Sequence, residues 1–335
     1  MNGFSASAPG RICLFGEHQD YLGLPVVAMA IDRRCSLKWT QRSDSHVKVT
    51  SECLGDVLEF DLNSPVEDMP RTPLSEAVKL MISDSKILPS GMDVHIKSDI
   101  PIRAGCSSST ALMTAWTAGW SRLFGIPHTL KDLVRRCHKA EVLSFDGAGG
   151  DMDHFACAHG GLHRFDNGKS VVLPEFPGEF ILGDSGQPKD TQRHLARCRD
   201  ARLPLMKELD APPSCWTKEQ VKLAQGTRIN RDLEVEWSKK IAAGQVQGKA
   251  MGEALSLHHA VLRDVLDLST PRIETLSDAA MKAGAWGCKI NGSGGGGCMF
   301  AYAPANRVEP IIDAMLQCGA TGAWHVKIDR GVSFV

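Results

Sequence analysis

A run of glycine and serine is the first pattern in this 335-residue chain that could do chemistry. Residues 103–111 read Arg-Ala-Gly-Cys-Ser-Ser-Ser-Thr-Ala, after an alternating strand pattern at 92–97 and before a helical pattern from Leu112 to Leu123. Backbone N–H groups at a helix start are unpaired and carry partial positive charge, and Gly105 lets that backbone approach a ligand closely. This run, which we call the phosphate loop, therefore predicts a phosphate-binding site, with an ordinary serine-rich helix cap as the alternative.

A second group of polar side chains stands between two apolar runs near the N-terminus. Residues 12–15 and 26–31 are predicted strands. The segment between them contains Glu17, His18, Asp20 and Tyr21. Polar groups packed between two buried strands either face a ligand or satisfy each other, so a ligand-binding turn and a turn capped by its own side chains both stay open.

Two carboxylates in the middle of the chain fall near predicted helix ends. A helix is predicted over about 130–144, and Glu141 lies near its C-terminal end, where the helix dipole disfavours a negative charge. A bound cation would remove that cost, and the alternative is a solvated surface glutamate. Further on, Asp151 can cap a short helix over 152–159, which puts Asp153 in the first turn, where the dipole stabilises a carboxylate.

A glycine-rich segment near the C-terminus needs its own explanation. Residues 292–297, which we call the Gly-rich turn, read Gly-Ser-Gly-Gly-Gly-Gly between predicted strands at 287–291 and 298–303. A plain hairpin turn needs only one or two glycines. Because glycine costs backbone entropy, five in six residues indicate positive φ angles or a close approach to another group.

Composition and charge narrow the class of protein. A hydrophobic fraction of 43% in 335 residues predicts an ordered chain of two domains, and its longest apolar stretches are too short to span a bilayer. The formal net charge of -1 predicts no affinity for nucleic acid or an anionic membrane. With no signal-peptide pattern and no C-x-x-C pair, the eleven cysteines are interpreted as reduced core residues of a cytoplasmic protein.

The remaining pattern predicts an α+β chain with a domain junction near residues 174–178. A monomer or homodimer is expected. The other predicted elements are hairpins at 45–62 (turn at 54–56) and 162–173 (turn at 166–168), strands at 180–182 and 324–328, and helices at 74–88, over most of 187–265, from Thr270 to Gly284 and at 307–318.

Three separated stretches together resemble the motifs of the GHMP kinases, the family of galactokinase, homoserine kinase, mevalonate kinase and phosphomevalonate kinase. They are Pro-Gly-Arg-Ile-Cys-Leu-Phe-Gly-Glu-His-Gln-Asp-Tyr at 9–21, Pro-Ile-Arg-Ala-Gly-Cys-Ser-Ser-Ser-Thr-Ala at 101–111 and Lys-Ile-Asn-Gly-Ser-Gly-Gly-Gly-Gly-Cys at 289–298. Their order and spacing fit the family along nearly the whole chain. The resemblance implies a two-domain α+β fold, with a ribosomal-protein-S5-like domain at 1–177 and a ferredoxin-like α+β sandwich domain at 178–335.

The resemblance also implies roles for individual residues, with ATP and Mg²⁺ as cofactors. Asp153 would accept the proton of the substrate hydroxyl, and Arg11 would keep Asp153 ionised and stabilise charge on the transferring phosphoryl group. Ser109 and Glu141 would bind Mg²⁺. The residues expected to bind ATP are Gly105, Cys106, Ser107, Ser108, Ser109, Thr110, Gly294 and Gly295. The residues expected to bind the substrate are Glu17, His18, Asp20, Tyr21 and Gly150.

The choice of substrate rests on conflicting features. The first motif resembles the galactokinase signature, because mevalonate kinases carry apolar residues where Asp20 stands. Gly295, Gly296 and residues 184–191 resemble mevalonate kinase instead. The prediction is a sugar kinase acting at the anomeric C1 hydroxyl, with galactose as the leading substrate. The alternatives are a mevalonate kinase and a non-catalytic sugar sensor. The presence of the predicted metal ligands and base argues against the sensor.

Overall fold

The computed structural model describes most of the chain, and within that part no helix is long and apolar enough to cross a membrane. Leu54 and Asn167, at the two predicted hairpin turns, and Asp190, within 184–191, lie outside the described residues. The described residues are 3–52, 55–85, 87–127, 129–166, 168–189 and 191–335.

Strands and helices occur in both halves of the chain, so the α+β class is confirmed. The strands are β1 Gly3–Phe15, β2 Val26–Gln41, β3 His46–Ser51, β4 Gly55–Asp61, β5 Met92–Ser98, β6 Leu162–Asp166, β7 Lys169–Val172, β8 Glu179–Asp184, β9 Gly287–Ile290, β10 Cys298–Ala303, β11 Gly322–Val326 and β12 Ser333–Phe334. The α-helices are α1 Pro73–Asp84, α2 Ser108–Leu123, α3 Leu130–Glu141, α4 Met152–His159, α5 Thr191–Arg202, α6 Lys218–Ala242, α7 Gly248–Asp264, α8 Pro271–Lys282 and α9 Val308–Gln317.

The larger sheet has the strand order β12-β1-β2-β5-β3-β4, with β6 paired to β2 and β7 paired to β6. The smaller sheet has the order β11-β8-β10-β9, and the Gly-rich turn joins β9 to β10. The chain returns to the larger sheet at its end, where Ser333 pairs with Ser7 of β1. The domain boundary between residues 177 and 178 stays a prediction.

The first two strands are much longer than the apolar runs that predict them. The predicted strand at 12–15 is only the end of β1, and the predicted strand at 26–31 is only the start of β2. The two strands pair along almost their whole length, from Gly3 opposite Thr40 to Phe15 opposite Val27. Because the ladder satisfies the backbone whatever the side chains are, pairing extends both strands through polar residues that an apolar run does not include.

Several predicted helix ends need correction. Helix α1 stops at Asp84, because Ser85 adopts an extended conformation, and α3 stops at Glu141, before a 3-10 turn at Leu143–Phe145. Glu141 is thus the last residue of its helix, where its charge opposes the dipole.

The predicted cap of α4 by Asp151 is wrong. The φ and ψ angles of Asp151, -110° and 3°, are not those of an extended cap residue, and its side chain makes no cap bond.

A cluster of tryptophans fixes the helix that carries the phosphate loop. Trp116 and Trp120 of α2 lie with ring centroids 5.2 and 5.4 Å from the ring of Trp39 on β2, and all three are fully buried. Gly119 allows this approach, since a Cβ added there would lie 2.5 Å from the Trp39 ring. The start of α2 is therefore held in a fixed position relative to the central strands.

Candidate active site

A cavity of about 320 Å³ is lined from both halves of the chain and gathers most of the predicted site residues. Of the residues predicted to bind ATP, Cys106, Gly294 and Gly295 do not line it, whereas Gly292 and Ser293 of the Gly-rich turn do. The predicted residues that line it are Arg11, Glu17, His18, Asp20, Tyr21, Gly105, Ser107, Ser108, Ser109, Thr110, Glu141, Gly150 and Asp153.

The phosphate loop leaves the start of α2 open to a ligand. Gly105 and Ser107 have φ angles of 89° and 61°, so the chain turns sharply before the helix begins at Ser108. The Ser107 side chain makes no cap bond to the first turn. The backbone N–H groups of that turn are therefore available to an anion, which is the arrangement that binds phosphate at helix starts.

The Gly-rich turn packs directly on the phosphate loop. Asn291, at its start, donates to the Gly105 carbonyl at 2.9 Å, and the Cys298 N–H donates to the Ala104 carbonyl at 2.6 Å. A Cβ added at Gly105 would overlap the Asn291 carbonyl, and one added at Gly292 would lie 2.6 Å from the Gly105 oxygen. Glycine is needed on both sides because the two backbones touch.

Gly294 and Gly295 contact residues that do not line the cavity. The Gly295 N–H donates to the Leu268 carbonyl at 2.7 Å, and a Cβ added at Gly294 would lie 2.6 Å from Leu268 Cβ. Cys106 is fully buried beneath the phosphate loop, where its sulfur accepts from Asn291 at 3.7 Å. Gly294 and Gly295 have φ angles of 77° and 76°, a region that favours glycine, so their conformation explains glycine at both positions without a ligand.

Asp153 and Arg11 form an ion pair at the base of the cavity. The Arg11 Nε and Nη2 atoms each lie 2.7 Å from Asp153 Oδ1, and Nη1 donates to the Gly105 carbonyl. Burial alone would raise the pKa of Asp153, but the Arg11 guanidinium and the Ser107 hydroxyl outweigh burial and hold that pKa below its usual value. Asp153 is thus a carboxylate near neutral pH and can accept a proton.

Asp20 lines the same cavity as Asp153 and is held by backbone donors. Burial and the charge of Asp153 raise the pKa of Asp20 to about 6, although the N–H groups of Tyr21 and Met152 donate to it and lower that pKa. A Cβ added at Gly150 would overlap the Asp20 carboxylate. Two carboxylates in one cavity, one with a lowered and one with a raised pKa, can perform different tasks.

His18 is oriented by a partner that the sequence does not indicate. Its Nδ1 lies 2.8 Å from the Tyr21 hydroxyl, which accepts from Arg202 Nη2 at 2.7 Å. A guanidinium only donates, so the Tyr21 hydroxyl accepts from Arg202 and keeps its own proton available for His18 Nδ1. Burial and the charge of Arg202 lower the pKa of His18 well below its usual value, so the imidazole is neutral.

Glu17 connects the N-terminal motif to the Gly-rich turn. One of its oxygens accepts from Lys289 Nζ in an ion pair whose members are 0% and 1% exposed, and the other accepts from the Gly292 N–H at 2.6 Å. Both oxygens are therefore engaged by the C-terminal half of the chain. Glu17 lines the cavity, but both of its carboxylate oxygens already accept hydrogen bonds from other residues of the chain.

Ser109 and Glu141 meet at the edge of the phosphate loop, where the Ser109 hydroxyl donates to Glu141 Oε1 at 2.5 Å. Within the described residues, no cluster of three or more His, Cys, Asp or Glu side chains could hold a metal ion. One carboxylate and one hydroxyl beside a phosphate-binding loop fit Mg²⁺, which completes its coordination with phosphate oxygens and water. The donor set therefore fits a magnesium ion that arrives with a nucleotide.

Several cavity residues come from the start of the stretch 187–265, which the sequence analysis predicts as mainly helical and in which it places no site residue. The small and polar residues at 183–186, which directly follow the predicted strand at 180–182, were the signal that could have found them, although β8 continues to Asp184. Burial and the charge of Arg11 lower the pKa of Lys189. The additional residues are Lys189, Thr191, Gln192 and Leu195.

A second, mainly apolar cavity of about 220 Å³ adjoins the first. Arg103, Ser108 and Ser109 line both cavities. The apolar part of its lining is Val57, Ile96, Ile102 and Leu112. This second cavity could bind a flat apolar group next to the phosphate loop.

Three family descriptions match this chain. Residues 73–161 match the GHMP kinases N terminal domain, residues 245–321 match the GHMP kinases C terminal region, and residues 2–37 match the galactokinase galactose-binding signature.

Two relatives in sequence carry different names. A mevalonate kinase of Pyrococcus horikoshii is 30% identical over 316 residues, which cover 91% of this chain and 90% of the relative. A galactokinase of Pasteurella multocida is 25% identical over 340 residues, which cover 91% of this chain and 86% of the relative.

Solved structures show the same fold under both names. The galactokinase of Lactococcus lactis complexed with galactose superposes with a TM-score of 0.83 and 23% identity, covering 99% of this chain and 95% of that one. The mevalonate kinase of Methanococcus jannaschii superposes with a TM-score of 0.80 and 17% identity, covering 97% of this chain and 98% of that one.

Proposed function

Because this chain belongs to the GHMP kinase family, we propose that it transfers the γ-phosphoryl group of ATP to a hydroxyl of a sugar, with the anomeric C1 hydroxyl as the acceptor. The observation that carries the proposal is the position of Asp153. This ionised carboxylate lies in one cavity with the phosphate loop and with Asp20. A carboxylate base in one cavity with a phosphate-binding loop is an arrangement that serves phosphoryl transfer to a hydroxyl.

The chemical step uses the two members of the buried ion pair. Asp153 accepts the proton of the acceptor hydroxyl as its oxygen forms a bond to the γ-phosphorus. The bond from that phosphorus to the β,γ-bridging oxygen breaks, and ADP leaves with the electron pair. Arg11, held by Asp153 and the Gly105 carbonyl, keeps Asp153 ionised and places positive charge beside the phosphoryl group in transfer.

ATP binding is supported by the loop and by the two adjoining cavities. The phosphates of ATP would bind the N–H groups at the start of α2, and its adenine would enter the apolar cavity beside Leu112. Ser109 and Glu141 would hold Mg²⁺, which neutralises charge on the phosphate oxygens. Ser108 and Ser109, which line both cavities, would lie along the nucleotide.

A sugar acceptor is favoured by the polar groups opposite the loop. Asp20 offers a charged acceptor that suits neighbouring hydroxyl donors, and neutral His18 lies within the same signature. Gly150 leaves room for that carboxylate. The match of residues 2–37 to a galactose-binding signature supports galactose as the leading candidate.

Mevalonate is the second candidate, favoured by the 30% identity to a mevalonate kinase. Mevalonate carries a carboxylate, which would need a cation such as Lys189 in the cavity and would be repelled by ionised Asp20. A sensor that only binds sugar is disfavoured, because a sensor would not need the ion pair of Asp153 and Arg11.

The test is ADP release from ATP and Mg²⁺ across hexoses, pentoses, uronic acids and mevalonate. The proposal predicts the highest kcat/KM for a hexose, and a rate about 10²–10⁴-fold lower for Asp153→Asn with the same acceptor. Turnover with mevalonate and with none of the sugars would establish the second candidate. Binding of sugar without ADP release from any acceptor would establish a sensor.

Gly150→Ala is expected to raise the KM for the sugar at least tenfold with little change in the KM for ATP, because the added methyl displaces the Asp20 carboxylate. Gly149→Ala is the matched control, since a Cβ there meets only Leu195 Cδ1 at 3.8 Å, an ordinary contact. Steady-state kinetics of both variants check the prediction. Equal KM values for the sugar would show that Asp20 does not contact it.

Ser109→Ala and Glu141→Ala are each expected to raise the Mg²⁺ concentration needed for half-maximal activity, and excess Mg²⁺ should partly restore turnover. Each change removes one oxygen donor from a site that phosphate oxygens and water also serve. Titration of activity with Mg²⁺ at saturating ATP measures the effect. An unchanged Mg²⁺ dependence in both variants would refute the metal assignment.

A further inference from the structure

The Glu141 carboxylate is held by donors from two other helices. Ser109 of α2 donates to Oε1 at 2.5 Å, and His154 of α4 lies with Nε2 3.0 Å from Oε2. Glu141 is the last residue of α3, so the three helices meet at one side chain. Both carboxylate oxygens therefore have a fixed direction.

The direction of the His154 bond follows from its surroundings. A carboxylate only accepts, so His154 Nε2 carries the proton and donates it to Glu141. His154 is 2% exposed, and its Nδ1 is buried without a partner in the part of the chain that the structure describes. The ring of His138 lies edge-on at 5.2 Å.

We propose that His154 is a positioning residue, which holds the Glu141 carboxylate toward the phosphate loop so that it can bind the divalent cation. The proposal rests on the proposed function, which gives Glu141 that ligand. At the end of α3 the helix dipole disfavours the carboxylate, and a side chain there is free to turn to solvent unless something holds it. The Ser109 hydroxyl, while donating to Glu141, keeps its oxygen lone pairs for the cation.

The position of His154 in the chain adds a second consequence. His154 follows Asp153 directly, so the first turn of α4 holds the base and, through the next residue, the metal carboxylate. The distance between the proton acceptor and the cation is thereby fixed by one helix. Donors that orient a metal ligand typically contribute 10–100-fold to metal affinity.

The test measures binding of Mn²⁺, as a paramagnetic substitute for Mg²⁺, to the whole protein with a non-hydrolysable ATP analogue, by electron paramagnetic resonance. His154→Leu should weaken Mn²⁺ binding about 10–100-fold and leave metal-free binding of the analogue unchanged. His154→Gln, whose amide can donate to Glu141, should recover most of the affinity, whereas the shorter His154→Asn should not. His159→Leu, at the far end of α4, is the matched control with unchanged affinity.

The outcomes separate this inference from the proposed function. Wild-type Mn²⁺ affinity in the Leu and Asn variants would overturn the role of His154 while the kinase proposal stands. An equal loss in the Gln and Asn variants, with the same fall in melting temperature, would make His154 a packing residue only. If the wild-type protein binds neither the analogue nor Mn²⁺ with it, the proposed function itself fails.

Discussion

Asp153→Asn is expected to lower kcat by about 10²–10⁴-fold while the affinity for ATP stays close to that of the wild type. Asparagine keeps the shape of the side chain but cannot accept the proton of the acceptor hydroxyl. The nucleotide contacts come instead from the phosphate loop and the apolar cavity beside it. Single-turnover kinetics at saturating ATP and sugar measure the chemical step directly.

The controls for this prediction concern stability and charge. Arg11 is 3% exposed, and without Asp153 its charge is buried with fewer partners, so the variant is also expected to melt at a lower temperature. Assays are therefore run well below its melting temperature. Asp151→Asn removes a neighbouring carboxylate outside the ion pair and should keep kcat within a few-fold of wild type. A kcat for Asp153→Asn within a few-fold of wild type would show that Asp153 is only a helix-start carboxylate.

Asp20→Asn is expected to lower kcat/KM for the sugar by about one to two decades with little change in the KM for ATP. A hydrogen bond to a charged group contributes about 1.5–3 kcal/mol, which corresponds to that range. The loss should be smaller for a deoxy sugar that lacks the contacted hydroxyl. Kinetics with the best sugar and its deoxy analogues measure the difference. A uniform loss with every analogue, joined by a lower melting temperature, would make Asp20 a turn-capping residue.

The same carboxylate gives a pH signature. The pKa of Asp20 is raised to about 6 in the folded chain, from a usual value near 3.8, so the folded state binds its proton more tightly than the unfolded state. Ionised Asp20 therefore costs stability at pH 7, and that cost disappears as the pH falls through 6 toward 4. Asp20→Asn should exceed the wild type in unfolding free energy by about 2–3 kcal/mol at pH 7 and by little at pH 4. Urea unfolding at both pH values checks this.

Local pattern was sufficient to predict the elements that carry the phosphate loop. Small residues before an apolar helical repeat predicted a helix after the phosphate loop, although α2 begins at Ser108, before the predicted Leu112. Thr129 and Thr270 cap their helices as their sequence positions indicate. Such signals depend on neighbours within one turn of chain. The extents of β1 and β2 were underestimated because long-range pairing, rather than local apolar character, sets their ends.

Contacts between distant residues could not be derived from pattern. Arg11 and Asp153 are 142 positions apart, and only the family resemblance implied that they meet. Glu17 and Lys289 are 272 positions apart, and a buried ion pair has no signature in either segment alone. Arg202 lies in a stretch rich in charge, where nothing in the sequence distinguishes a buried arginine from a solvated one.

The central claim is that Asp153 enables phosphoryl transfer to the anomeric hydroxyl of a sugar. Incubation of the protein with ATP, Mg²⁺ and galactose, followed by phosphorus NMR of the products, tests this most directly. We predict a sugar phosphate whose phosphorus couples to the proton on C1, formed by the wild type about 10²–10⁴-fold faster than by Asp153→Asn. A spectrum with no sugar phosphate from galactose or any other sugar, but with phosphomevalonate when mevalonate is supplied, would contradict it.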